Sequence, residues 1–196
     1  MDTRLKATAT HLPAGARYVP GFVSAVEESE FITLLDVSVW SCELKRRVQH
    51  FGYRYDYKSR SVTSDAYLGS LPDWLQSLAH RLVEAGCFDS LPDQVIANEY
   101  LPGQGISAHI DCEPCFGDTI VSLSLLSSCE MVFREKESGT KLSTVLAPRS
   151  LVILKDAARY AWTHEIPARK SDLLDGCKVE RSRRVSLTFR NVIRVL

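Results

Sequence analysis

Two hydrophobic rhythms divide the chain: helical spacing in two places before about residue 90, then short apolar or alternating runs separated by turn residues. In the first part Ser24-Ala-Val-Glu27 reads as a capping box, in which a serine and a glutamate three residues apart satisfy each other's free backbone amides. It opens an amphipathic helix with Phe31, Leu34 and Leu35 on one side. A second helix is predicted with Pro72 in its first turn, Trp74, Leu75, Leu78 and Leu82 as its stripe, and Gly86 as its end. From about residue 94, QVIANEY, DTIVSLSL, EMVFRE, STVLAP, SLVILK and RVSLTFRNVIRV each predict a strand, punctuated by Pro102-Gly103, Gly117, Gly139, Pro148 and Pro167. Many short strands in series predict a mainly β domain, a sandwich or barrel, with the early helices flanking it.

No repeat, linker or low-complexity tract interrupts the 196 residues, so a single domain over 1–196 is expected. A hydrophobic fraction of 45% and a charged fraction of 24% belong to a folded globular chain and exclude a disordered one. No run approaches the ~18 apolar residues of a membrane span, and MDTRLKATATHLPAG lacks a signal-peptide core. The expectation is an intracellular protein with no membrane partner. Six cysteines are too sparse for a disulfide framework and are expected as thiols in a reducing compartment. Cys112-x-x-Cys115 reads as two loop thiols or as half a zinc site, although no second Cys/His pair follows it.

A formal net charge of zero announces no nucleic-acid partner, but local patterning is less neutral. Residues 44–60 interleave Lys45, Arg46, Arg47, Arg54, Lys58 and Arg60 with Phe51, Tyr53, Tyr55 and Tyr57. Such a segment suits phosphate attraction with base stacking, and equally an exposed hairpin with an aromatic inner face. Strand alternation would put Tyr53, Tyr55 and Tyr57 on one side.

The chemistry gathers around GISAHIDCEP, where His109 and Asp111 stand two residues apart and so share one face of an extended segment. His164, in YAWTHEIPA, supplies a third donor. Two imidazoles and a carboxylate make the facial triad of non-haem Fe(II) oxygenases, although His-x-Asp with a distant histidine is also met by chance around a structural histidine. The last strand adds weight. Alternation places Arg184, Ser186, Thr188 and Arg190 on one face, with Val185, Leu187 and Phe189 on the other. The arginines span roughly 20 Å of extended chain and could bracket a short dicarboxylate such as 2-oxoglutarate. The plain alternative is a solvated basic edge strand.

The ordered set NEY, HID, WTH and RVSLTFR, from about Tyr18 to Val195, resembles the AlkB family of Fe(II)- and 2-oxoglutarate-dependent dioxygenases. RRVQHFGYRYDY, PDQVIANEYLPGQGISAHID and DTIVSLSL look most like the oxygenase domain of the animal wobble-uridine tRNA hydroxylase. The resemblance implies a double-stranded β-helix, or jelly-roll, with His109, Asp111 and His164 as iron ligands. It implies Asn98, Tyr100, Arg184 and Arg190 as cosubstrate contacts, with Arg184 on the distal carboxylate, and Ser186 where founding members often carry asparagine. It also implies a nucleotide-recognition lid at about 41–66, with Arg46, Arg47, His50, Tyr53 and Tyr55 on the substrate, and Glu113 against the base. The cofactors implied are Fe(II), 2-oxoglutarate and dioxygen, and the state a monomer, cytoplasmic or nuclear. Oxidative dealkylation of DNA or RNA bases is the expected activity, because the RNA-binding and methyltransferase domains of the animal enzyme are not in this sequence. Hydroxylation of a tRNA wobble uridine is the alternative, and an oxygenase acting on protein, or a module without turnover, a remoter one.

Overall fold

The computed structural model describes residues 12–63, 65–174 and 176–193. One antiparallel sheet forms a back wall, in the order β1 (Ala16–Val19), β8 (Ser150–Leu154), β5 (Ile120–Leu125), β12 (Arg184–Arg190), β3 (Gln94–Tyr100), β2 (Arg47–Phe51). A second sheet, β4 (Ile106–His109), β9 (Trp162–Ile166), β6 (Cys129–Glu135), β7 (Lys141–Leu146), packs against it. β10 (Ser171–Leu174) and β11 (Cys177–Glu180) make a separate hairpin. The helices are α1 (Ala25–Asp36), α2 (Asp73–Glu84) and α3 (Asp156–Tyr160). Two apposed antiparallel sheets with flanking helices match the sandwich predicted from the strand pattern and the jelly-roll implied by the resemblance.

The back wall is buried on both sides, and its two sides have opposite chemistry. Outward-facing Val121, Leu123, Leu125, Val185, Leu187 and Phe189 pack with Phe31 and Leu35 of α1 and Leu75, Leu78 and Leu82 of α2. The inward face carries Ile120, Val152 and Leu154 toward Met131, Phe133, Leu146, Trp162 and Ile166 of the second sheet. This double burial leaves all seven residues of β3 and of β12 buried, polar ones included.

The helix signals operate as the sequence suggests. Ser24 Oγ accepts from the Glu27 amide at 3.2 Å, and Glu27 Oε2 accepts from the Ser24 amide at 2.7 Å. At the end of α2 the Gly86 amide donates to Val83 and the Cys87 amide to Leu82, with Gly86 at φ +67°, a Schellman ending. Leu34 departs from expectation: it is exposed, and Glu28 is buried in its stead. The Glu28 carboxylate accepts from the Leu126 amide and from Arg149, so a hydrogen-bonded charge occupies what the apolar pattern gave to leucine.

The last strand stops at Arg190, short of RVSLTFRNVIRV, because the chain then turns to other partners. Asn191 donates to Leu91, and the Val192 amide donates to Asp93. The cysteine expectation is also corrected. A turn in which the Cys115 and Phe116 amides both donate to the Cys112 carbonyl brings Cys112 and Cys115 to a Cα separation of 5.2 Å, and they form a disulfide. Neither then offers a thiolate to zinc. Among the described residues no helix is long and apolar enough to cross a membrane. Most of MDTRLKATATHLPAG, residues 1–11, lies outside them.

Candidate metal centre

β4 and β9 pair antiparallel with His109 opposite His164. Gly105 permits the approach, since a Cβ there would stand 2.1 Å from the Ile166 carbonyl oxygen. The two imidazole centroids lie 4.4 Å apart. β4 ends at His109, and the chain beyond it carries the Asp111 carboxylate to 3.6 Å from His109 Nε2. One donor atom from each of the three residues falls within 4.8 Å of the others. No other such group of three His, Cys, Asp or Glu side chains is found among the described residues.

Each donor is prepared for a cation. His109 Nδ1 lies 2.8 Å from the Ser107 carbonyl oxygen, which only accepts, so Nδ1 donates there and Nε2 is the atom turned toward Asp111. Burial, helped by His109, pushes the His164 pKa down to about 3, so that ring is neutral at ordinary pH. Burial alone would raise the Asp111 pKa, but the Arg190 guanidinium and then the two histidines outweigh it and hold the carboxyl well below its usual range. Two imidazoles and one fixed carboxylate fit Fe(II).

The polar face of β12 continues the site. Register sets Arg184 beside Tyr100, Ser186 between Asn98 and Ser124, Thr188 between Ile96 and Ser122, and Arg190 beside Gln94. Alternation therefore delivers the stripe read from RVSLTFR, but the arginines divide their work. Arg190 donates Nε to Asp111 Oδ2 at 3.2 Å, Nη2 to Oδ1 at 3.3 Å and Nη1 to Gln94 at 3.1 Å. It grips the ligand carboxylate rather than standing free as one half of a diacid clamp. Arg184 donates Nη2 to Ser124 Oγ at 2.8 Å and lies over the Tyr100 ring, while its buried Nε has no partner. An unpartnered buried guanidinium N–H costs about 1–3 kcal/mol or more, and an incoming carboxylate relieves that. The residues therefore fit 2-oxoglutarate, and Arg184 could anchor it.

A cavity of about 400 Å³ joins these groups to the segment above. Its lining includes the triad, Asn98, Tyr100, Arg184, Ser186 and Arg190, together with Arg46, Tyr55, Tyr57 and Arg60 of that segment. Four other residues expected on the substrate are not among them. Arg47 points to the opposite face of β2, where it pairs with Glu99 and lies against Trp40. His50 is tucked under Tyr57, its Nδ1 accepting from the Tyr55 amide at 3.4 Å and its Nε2 buried without a partner. Burial pushes the His50 pKa down to about 4. Tyr53 packs on Tyr67 beside a separate cavity with His80 and Leu91. Glu113 is exposed on the loop after Asp111.

Gly52 explains the tyrosines. At φ +76° and with a Cβ position 1.9 Å from the Asp93 carbonyl oxygen, it ends β2 and breaks the alternation that would have aligned Tyr53 with Tyr55 and Tyr57. Sequence reasoning also passed over Gln94, Ser124 and Arg159. Ser124 and Gln94 sit in runs already read as strands, so register could have found them. Arg159 bonds to carbonyls 42 to 48 residues away, and no local pattern signals that.

The chain matches the 2OG-Fe(II) oxygenase superfamily over residues 15–190. It is 38% identical to the "Alkylated DNA repair protein ALKBH8 homolog" of Arabidopsis thaliana, an alignment covering 91% of this chain and 58% of that protein. It is 37% identical to the "tRNA (carboxymethyluridine(34)-5-O)-methyltransferase ALKBH8" of Mus musculus, covering 94% of this chain and 31% of that protein. The chain thus spans only part of the length of these relatives. The solved structure of OsALKBH1 superposes with a TM-score of 0.72 at 18% identity, over 93% of this chain and 99% of that one, which shows the shared fold. With a matching family over most of its length and AlkB-like relatives above 35% identity, the chain belongs to the 2OG-Fe(II) oxygenase superfamily, as an AlkB-like dioxygenase that uses iron, 2-oxoglutarate and dioxygen.

Proposed function

We propose that this dioxygenase oxidises a carbon carried by a nucleobase in single-stranded or extruded nucleic acid, and that the base is a modified uridine of tRNA. The observation that carries the reading is a single cavity whose lining brings the three donors together with Tyr55, Tyr57, Arg46 and Arg60. Aromatic faces stack a base for ~1–3 kcal/mol each, and arginines attract the phosphates beside it. A duplex would hide the target carbon, so the substrate is a strand with the base free to leave its stack. The Tyr57 hydroxyl, buried and unpartnered, offers a hydrogen bond to whatever enters.

His109, Asp111 and His164 would hold Fe(II), and Arg184 the distal carboxylate of 2-oxoglutarate. Bound there, the pair supplies oxidation of a C–H bond by dioxygen, with 2-oxoglutarate lost as succinate and carbon dioxide. What the chain contributes is position and charge. Arg190 keeps Asp111 ionised and aimed, Ser107 fixes the His109 tautomer, and the buried Arg184 orients the diacid.

The uridine is favoured by relatives at 35–37% identity named for carboxymethyluridine 34 of tRNA. Dealkylation is the second reading, supported by the Arabidopsis relative's name and by demethylases at 24–27% identity from Danio rerio and Caenorhabditis elegans. Product masses separate the two. A tRNA anticodon stem-loop bearing modified uridine should gain one oxygen atom, while oligonucleotides with 1-methyladenine, ethenoadenine or 3-methylcytosine should stay unchanged. Loss of the alkyl group from the latter, with an untouched stem-loop, would reverse the order. Succinate at background with every nucleic acid would abandon both for a protein substrate or no turnover.

A further inference from the structure

Arg190 accounts for the Asp111 carboxylate, but the backbone that carries this residue leaves the sheet after β4 and does not rejoin it until β5. Four carbonyls of that connection converge on one side chain. Arg159, only 2% exposed in α3, donates Nη1 to the Asp111 carbonyl at 2.9 Å and Nε to Gly117 at 3.2 Å. Its Nη2 lies 3.3 Å from the Phe116 carbonyl and 3.4 Å from that of Cys112. Its hydrogen bonds thus go to main-chain oxygens, which places a buried cation at the centre of a backbone ring.

The position of α3 gives that ring its consequence. The helix runs directly into β9, which carries His164, and the His109 strand pairs with β9 in turn. Arg159 therefore joins the arm bearing the carboxylate ligand to the arm bearing an imidazole. A rigid planar fork holds several acceptors in one geometry, as an ammonium does not. We propose that Arg159 is a positioning residue of the metal centre, setting the Asp111 arm against the His164 arm so that the three donors converge before any ion arrives. The inference rests on the assignment of His109, Asp111 and His164 as metal ligands. Arg159 touches neither metal nor substrate, and its effect is on how much the site must reorganise when metal binds.

The test uses Co(II) as an optical probe, with its visible d–d bands titrated into metal-free protein, beside the melting temperature of that metal-free protein. Arg159→Met keeps the apolar stem and removes every donor. Arg159→Lys keeps the charge without the fork. Leu78→Ala, in α2 on the far side of the back wall, removes core packing remote from the loop and serves as the control for lost stability. Loss of the groups that orient a ligand costs about 10- to 100-fold in metal affinity. Arg159→Met should weaken cobalt by about that factor, Arg159→Lys by less, and Leu78→Ala by under about twofold despite its lower melting temperature. A folded Arg159→Met with wild-type cobalt affinity would overturn the proposal, and so would a Leu78→Ala that loses as much. If Arg159→Met does not fold, Arg159→Lys decides in the same way; if neither folds, the arginine serves the fold and the proposal is wrong. Failure of the wild type itself to bind cobalt would refute the ligand assignment instead, a separate result.

Discussion

Strand β12 is paired on both sides, with β3 and with β5 in unbroken register, whereas between Phe51 and Leu71 the chain holds itself by isolated bridges, Tyr53 to Tyr67 and Asp56 to Ser61. The first region lines the cavity as its floor, and the second, which adds Tyr55, Tyr57 and Arg60 to the lining, is its candidate lid. On the floor, ladder register decides where Arg184, Ser186 and Arg190 stand, and Arg190 in turn holds the Asp111 carboxylate of the loop after β4. Among its described residues the candidate lid has no such ladder, which leaves it free to differ in what it admits. Chemistry held on the floor and choice of substrate in the lid is the division this contrast implies, and it is open to attack from either end.

The largest effect should come from the floor. Asp111→Asn is expected to bring succinate release to background with the β-sheet circular dichroism intact, and retained turnover would detach the chemistry from this carboxylate. Next in size is a response at the seam, where His50 of β2 lies under the lid. Its pKa, pushed from 6.5 to about 4 by burial, means that the unfolded chain takes up the proton first. This contribution to stability is complete above about pH 6.5 and disappears as pH falls toward 4, amounting to about 2 kcal/mol between pH 7 and pH 5. His164 acts in the same direction, so urea unfolding of His50→Gln beside wild type isolates the share of His50; parallel pH profiles for the two would show that the ring is not buried in neutral form.

Two further substitutions should separate floor from lid. Arg184→Met should raise the half-saturating 2-oxoglutarate concentration about 10- to 150-fold, the equivalent of about 1.5–3 kcal/mol for a hydrogen bond to a charged group. Tyr55→Ala should weaken nucleic-acid binding by roughly 5- to 150-fold, from ~1–3 kcal/mol of lost stacking, and leave the 2-oxoglutarate requirement alone. A shift of that requirement in Tyr55→Ala would mean that the two regions are not separable. The smallest effect distinguishes two arginines within the lid sequence. Arg60→Ala should lower the salt slope of nucleic-acid binding by about one, and Arg47→Ala should leave it unchanged because that guanidinium is spent on Glu99. Equal slopes for the two variants would erase the distinction.

The same contrast governs what was legible in the sequence. Where a residue's place follows from a two-residue period within one strand, as for Arg184, Ser186 and Arg190 or for Asn98 and Tyr100, pattern and structure agree on the face it occupies. Period could not foresee what occupies each guanidinium: Arg190 looked like half of a clamp until the loop after β4 brought Asp111 against it. The lid defeated alternation for a local reason, the left-handed Gly52, and Arg47 because the register of β2 against β3 sets it opposite Glu99. Leu34 and Glu28 exchanged places because a buried carboxylate found donors 98 and 121 residues away. Arg159 is the extreme case, its partners scattered over a loop whose shape exists only in the folded chain.

The central claim is that His109, Asp111 and His164 share one metal ion and that Arg184 seats the diacid beside it. Crystals grown anaerobically with Mn(II) and 2-oxoglutarate test it most directly, through the anomalous signal of the metal. The account predicts one manganese bound by His109 Nε2, an Asp111 carboxylate oxygen and a His164 nitrogen, with the distal carboxylate of 2-oxoglutarate on Arg184. Manganese at any other set of side chains, or a diacid whose far carboxylate avoids Arg184, would contradict it.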